Sequence, residues 1–97
     1  MTCYFISRHQ GAASWIQEQG LEIDQMLTHL DMNILKRGDT VVGTLPINLV
    51  AELTELGVRY LHLTLNMPES MRGKELSPEE MKQINAYLQE YQATKVE

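Results

Sequence analysis

Arg8 and His9 stand side by side, directly after the apolar run Tyr4–Phe5–Ile6 and just before Gly11, Ala12 and Ala13. A guanidinium offers a fork of N–H donors matched to phosphate oxygens. An imidazole exchanges a proton near neutral pH. Gly11 removes side-chain bulk, so backbone can approach a ligand closely. Together these types suit binding and proton transfer at a phosphate ester. Ser7 precedes the pair. Other residues of that chemistry are scattered along the chain: His29 and Asp31, Thr44 with Pro46 two places on, Asn66, and Arg72 beside Gly73.

The elements that gather them are legible from patterning. Residues 2–7 are aromatic and β-branched, and read as a strand buried on both faces. Residues 11–19 read as a helix with Ala12, Trp15, Ile16 and Gln19 on or near one face and Gly20 as its stop. A second strand is expected over 23–30, a short turn of helix over 32–37, and a third strand over 40–44. A helix follows from Pro46 to Leu56, with Leu49, Val50, Leu53 and Leu56 as its stripe and Gly57 at its end. Residues 59–65 alternate and give a fourth strand; 66–76 read as a loop. Ser77, Pro78 and Glu80 form an N-terminal helix signal, and Met81, Ile84, Leu88 and Tyr91 recur at helical spacing behind it. The order predicts a single small α/β domain over 1–97, with about four mainly parallel strands and three helices.

Open parallel sheets bind ligands at the carboxyl ends of their strands, where helix N-termini also point. That rule brings Ser7, Arg8 and His9 to one rim with His29, Asp31, Thr44 and Asn66, and hangs the Arg72 loop over it. The predicted rim is a phosphate site: Arg8 and His9 are its candidate catalytic pair. Ser7, Gly11, His29, Asp31, Thr44, Pro46, Asn66 and Arg72 are its candidate ligand contacts. Each also has a plain structural reading. Arg8 and Arg72 can be solvated loop residues, Asp31 and Thr44 helix caps, and His29 and His62 structural histidines. Trp15 and the Tyr87/Tyr91 pair read as core or dimer contact.

Composition narrows the class of partner. The 97 residues are 43% hydrophobic and 22% charged, with a net charge of −5. An acidic chain lacks the cations that a sequence-independent binder of long nucleic acid needs. A small phosphorylated ligand needs only two or three local cations. No dinucleotide fingerprint, Gly-rich loop with Lys or zinc-spaced Cys/His cluster is present, so no cofactor and no metal are expected. One Cys and six Met fit a reducing compartment, and a cytoplasmic location is expected. No apolar run is of bilayer length, and no signal peptide is expected from the N-terminal residues.

"SRHQGAASW" at 7–15, "HLD" at 29–31, "GDTVVGTLP" at 38–46, "YLHLTL" at 60–65 and "RGKELS" at 72–77 resemble a small accessory family of type III CRISPR systems. The likeness keeps the order and spacing of all five blocks over nearly the whole chain. It implies a Rossmann-like domain related to those that sense cyclic oligoadenylates, working as a homodimer. It further implies a ring nuclease that degrades cyclic tetra-adenylate and so switches off the effectors which that messenger activates.

The residues fit such a role. A ring of four nucleotides and a homodimer can share a twofold axis. Attack by a ribose 2′-OH on the adjacent phosphate needs alignment, charge stabilisation and proton transfer, with no metal. Arg8 is expected to stabilise charge on the phosphoryl oxygens, His9 to serve as acid or base, and Arg72 to close over the ligand. The rival readings are a sponge that binds the same cyclic nucleotide without chemistry, and an interaction module that docks on a CRISPR or toxin component. A phosphatase-like hydrolase is a weaker rival, because Cys3 lies at the start of the first strand, away from the rim.

Overall fold

Alternating apolar segments with helices between them cannot bury their strands singly; they do so here by forming a sheet with helices on both faces. The computed structural model describes residues 1–7, 10–64, 78–83 and 85–96. Its elements run β1 (Cys3–Ile6), α1 (Gln10–Glu18), β2 (Gln25–Leu27), a 3-10 turn (Met32–Ile34), β3 (Thr40–Gly43), α2 (Ile47–Leu56), β4 (Arg59–Thr64), α3 (Pro78–Gln83) and β5 (Tyr87–Tyr91). The sheet order is β2-β1-β3-β4-β5. The first four strands pair in parallel, and β5 lies antiparallel to β4. The architecture is a small Rossmann-like α/β sheet.

Strand side chains alternate between two apolar layers. On the first face Phe5, Val42, Leu61 and Leu63 pack with Ala12, Trp15 and Ile16 of α1 and Met81 of α3. On the second, Tyr4, Val41 and Tyr60 pack with Val50 and Leu53 of α2. Leu30, Met32 and Leu35 join that second layer as the chain crosses from β2 to β3. The α2 stripe is narrower than expected: Leu49 is half-buried and Leu56 is exposed. Gly57 ends α2 as expected, at φ 78°, with its N–H bonded to the Leu53 and Thr54 carbonyls.

Two carboxylates close the amino edge of the sheet. Asp39 is buried and accepts the Thr2 N–H on Oδ1 at 3.0 Å and the Lys36 N–H on Oδ2 at 2.9 Å. Asp24 Oδ2 accepts the Cys3 N–H at 2.7 Å. Those two N–H bonds, that from Thr2 above all, hold the Asp39 carboxyl below its ordinary range.

The structure corrects the expected elements in three places. The second strand contracts from 23–30 to Gln25–Leu27, because it is an outer strand paired only with β1 and is bracketed by bends at Asp24 and Thr28. The turn expected over 32–37 is a single 3-10 turn. The last helix stops at Gln83, and residues 87–91, expected to continue it, form a fifth strand. Asn85 sits at φ 56°, its N–H bonds the Lys82 carbonyl, and the Ala86 N–H bonds the Met81 carbonyl. That pair of bonds around a left-handed residue is a helix-terminating motif. The aromatic-flanked run Tyr87–Tyr91 then pairs on β4. Ser77 and Ile84 lie outside the described residues.

Candidate functional site

The strand order carries a switch point. From β1 the chain passes through α1 on the first face to β2; from β3 it passes through α2 on the second face to β4. The chain therefore leaves neighbouring strands in opposite directions, which opens a crevice at their carboxyl ends. Ser7 closes β1, and its N–H donates to the Leu27 carbonyl at 2.9 Å. The register pairs Phe5 with Val42, and two further places set Ser7 beside Thr44. The strands lie close here. A Cβ on Gly43 would meet the Ile6 carbonyl oxygen at 3.1 Å, tighter than ordinary contact.

The rim residues divide into those gathered at the crevice and those set elsewhere. Ser7, Gly11 in the first turn of α1, Thr44 and Pro46 all belong to the two strand-to-helix junctions. Thr44 does not cap α2, as its position had suggested. Its hydroxyl donates to the Leu63 carbonyl at 3.1 Å, and Pro46 holds the N-cap position without a side-chain bond. Proline fits there because the first helical turn leaves its N–H groups free. Asp31 takes the plain alternative: its carboxylate accepts the Asn33 N–H at 2.9 Å and caps the 3-10 turn. His29 is exposed in the bend that follows β2. Arg8, His9, Asn66 and Arg72 lie outside the described residues. Cys3 stands at the amino end of β1, and burial, then the Asp24 carboxylate, push its thiol up. It is a poor nucleophile there. Among the described residues no three His, Cys, Asp or Glu side chains converge to hold a metal.

A second feature escaped the sequence. Beside the first turn of α2 the second face of β4 and β5 is open, and it forms a groove of about 330 Å³. Tyr60, His62 and Thr64 make its floor; Ile47 of α2 and Tyr87 and Tyr91 of β5 line its sides. Antiparallel pairing sets Tyr87 opposite Thr64, Gln89 opposite His62 and Tyr91 opposite Tyr60, all on one face. Ile47 is 72% exposed, and Tyr87 and Tyr91 are each 47% exposed.

Tyr60 orders the floor. Its hydroxyl donates to the Gly43 carbonyl at 3.0 Å and accepts the Leu45 N–H at 2.9 Å. It also lies 2.7 Å from His62 Nδ1. Only one hydroxyl hydrogen exists. Placing it toward Nδ1 would leave two oxygen lone pairs facing each other at the Gly43 carbonyl. The arrangement that satisfies all three partners puts a hydrogen on His62 Nδ1, leaving Nε2 as the acceptor of the neutral ring. Burial raises the Tyr60 phenol, so it stays protonated. The His62 ring meets Tyr60 and Tyr91 edge to face, at centroid distances of 5.8 and 5.7 Å. His62, read from sequence as structural, is thus held from two sides while lining a cavity. The period-two spacing of Tyr87, Gln89 and Tyr91 was the available signal.

No helix among the described residues is long and apolar enough to cross a membrane. The model of the family described as "Putative CRISPR-associated protein (Cas_VVA1548)" matches residues 4–94. No curated protein and no solved structure matches the chain.

Proposed function

The chain belongs to that CRISPR-associated family, and from this premise we propose that it is a metal-independent ring nuclease of type III CRISPR signalling, opening cyclic tetra-adenylate at its carboxyl rim. The observation that carries the reading is the switch point between β1 and β3. It sets the end of β1 beside the Thr44–Pro46 junction and the start of α2; the sequence has Arg8 and His9 directly after Ser7. Phosphate oxygens are favoured at such a crevice by free backbone N–H groups and a positive helix end. The carboxylates of Asp24 and Asp39 are committed at the opposite, amino edge, where they do not oppose an anion.

In the proposed reaction a ribose 2′-oxygen bonds to the adjacent phosphorus as the bond from phosphorus to the 5′-oxygen breaks. The 2′-hydroxyl proton leaves to a base, and the departing 5′-oxygen receives a proton. His9 serves one of these transfers and Arg8 stabilises charge on the non-bridging oxygens. Arg72 and Asn66, which follow β4 in the sequence, serve as ligand contacts. A homodimer would present two rims to one twofold ring. The products are linear oligoadenylates ending in a 2′,3′-cyclic phosphate.

Incubation of the protein with cyclic tetra-adenylate in EDTA, read by liquid chromatography with mass detection, tests the reading. Linear products with cyclic phosphate ends are expected. Intact ligand that co-elutes with the protein would replace the nuclease by a sponge, and ligand neither bound nor cut would reject both.

A further inference from the structure

We propose that the groove over β4 and β5 is a nucleobase pocket for adenine, in which the base stacks on Tyr87 and its exocyclic amino group donates to Nε2 of His62. The proposal rests on the reading of the rim as a nucleotide site and adds where one base of that ligand is held. It stands on three observations of the groove.

The first is its chemistry. Among the described residues the groove is lined by apolar, aromatic, hydroxyl and amide side chains and His62, with no Lys, Arg, Asp or Glu. Such a lining fits a neutral planar ring and not a phosphate. Its volume, about 330 Å³, lies at the low end of ligand cavities, with room for one base and not for a whole oligonucleotide ring. An Ile47 side chain left 72% exposed on its margin is apolar surface for a ligand to cover.

The second is the division of labour between the two tyrosines. The Tyr91 ring is engaged edge-on with His62. Among the described residues Tyr87 makes no ring contact, and it is half exposed. It pairs with Thr64, the last residue of β4, so it stands at the rim end of the groove. His62 is two places down the same face, about 7 Å away along the strand. A base entering from the rim meets Tyr87 first and reaches His62 with its edge.

The third is the tautomer. Tyr60 takes the Nδ1–H, and among the described residues His62 makes no other side-chain hydrogen bond. In the neutral ring Nε2 is then a lone-pair acceptor in the groove that Tyr60, Tyr87 and Tyr91 line. Adenine can offer such an acceptor its exocyclic amino hydrogen, whereas the N3–H of uracil lies between two carbonyl oxygens that would face the same lone pair. Among the described residues no carboxylate lines the groove to receive the paired N–H donors of guanine. Adenine satisfies the acceptor, and its two fused rings give a larger stacking area than cytosine.

Adenosine 5′-monophosphate and uridine 5′-monophosphate, titrated into the whole protein with the aromatic resonances of His62, Tyr87 and Tyr91 followed by NMR, test the pocket. The adenine nucleotide is expected to saturate and to move the His62 and Tyr87 signals. The uracil nucleotide should bind at least about fivefold more weakly. Base stacking on an aromatic residue predicts that Tyr87→Ala weakens the adenine nucleotide about fivefold or more. Its half-exposed side chain makes this variant compatible with the fold. His62→Phe keeps an aromatic ring and should erase the preference for adenine over uracil. Signals that move elsewhere, or Tyr87→Ala with unchanged affinity, overturn the pocket. Cleavage of cyclic tetra-adenylate with an unchanged KM in Tyr87→Ala would also overturn it, while the nuclease reading stands. Adenine binding in the groove without cleavage by the wild-type protein supports the pocket and overturns the nuclease.

Discussion

Tyr60 Oη lies 2.7 Å from His62 Nδ1 and is bonded at the same time to the Gly43 carbonyl and the Leu45 N–H. One buried hydroxyl thus ties the end of β3, the approach to α2 and the floor of the groove. Tyr60→Phe removes that oxygen and little else. It strands a buried carbonyl and a backbone N–H, so a loss of about 1–3 kcal/mol is expected. Urea unfolding measures it. The same variant should release His62 from the Nδ1–H form, and imidazole 15N shifts would move toward the ordinary tautomer mixture. Unchanged shifts would contradict the proton arrangement argued for the wild type.

Asp39 makes stability acid-sensitive. Its folded carboxyl titrates below its ordinary value of 3.8, so the unfolded chain takes up the proton first as pH falls. The stabilisation is therefore complete above about pH 5 and is lost as pH drops through 3.8 toward the folded value. Urea midpoints between pH 3 and 6 should fall toward the acid end. Asp39→Asn should be less stable at pH 6 and should flatten that slope. An equal slope in the variant would place the acid sensitivity in other carboxylates.

The sheet was legible because β1 and β3 are apolar runs and β4 alternates apolar with polar residues, patterns that a strand satisfies more readily than a helix. The 81, 84, 88, 91 spacing was not decisive, because Met81 faces the first core layer from a helix while Leu88 faces it from a strand. Both geometries satisfy the same apolar demand, and the choice between them lies in the backbone of Asn85. That misreading concealed the groove as well. With residues 87–91 taken as helix, Tyr87 and Tyr91 could not be placed beside His62. The rim was legible at the β1–α1 and β3–α2 junctions, where small and polar residues interrupt apolar runs. Asp31 was not separable from a cap by type alone, since a carboxylate before a turn serves either purpose.

Asn85 therefore carries a prediction of its own. A left-handed backbone costs a side-chain-bearing residue about 1–2 kcal/mol, and glycine escapes that cost. Asn85→Gly should hold or raise the thermal midpoint. Asn85→Val, β-branched at φ 56°, should lower stability by more than 1 kcal/mol on the same scale and loosen β5 from β4. Hydrogen exchange of the Tyr87–Tyr91 amides would report the loosening. Equal exchange in both variants would mean that β5 is held by strand pairing alone.

Arg8 and His9 precede α1 in the sequence and are not part of its apolar pattern, so their replacement is the test that separates chemistry from folding. His9→Ala should slow opening of cyclic tetra-adenylate by about 10²–10⁴-fold, the range that a positioned acid or base supplies. Arg8→Ala should lose about 10²–10³-fold if its guanidinium meets charge that develops on the phosphoryl oxygens. Single-turnover rates in EDTA, with thermal midpoints within a few degrees of wild type, are the measurement. A decrease confined to KM in both variants would make the pair ligand contacts and favour sequestration over cleavage. Near-wild-type rates in both would move the chemistry away from this junction, and His29, exposed beyond the end of β2, would become the next imidazole to test.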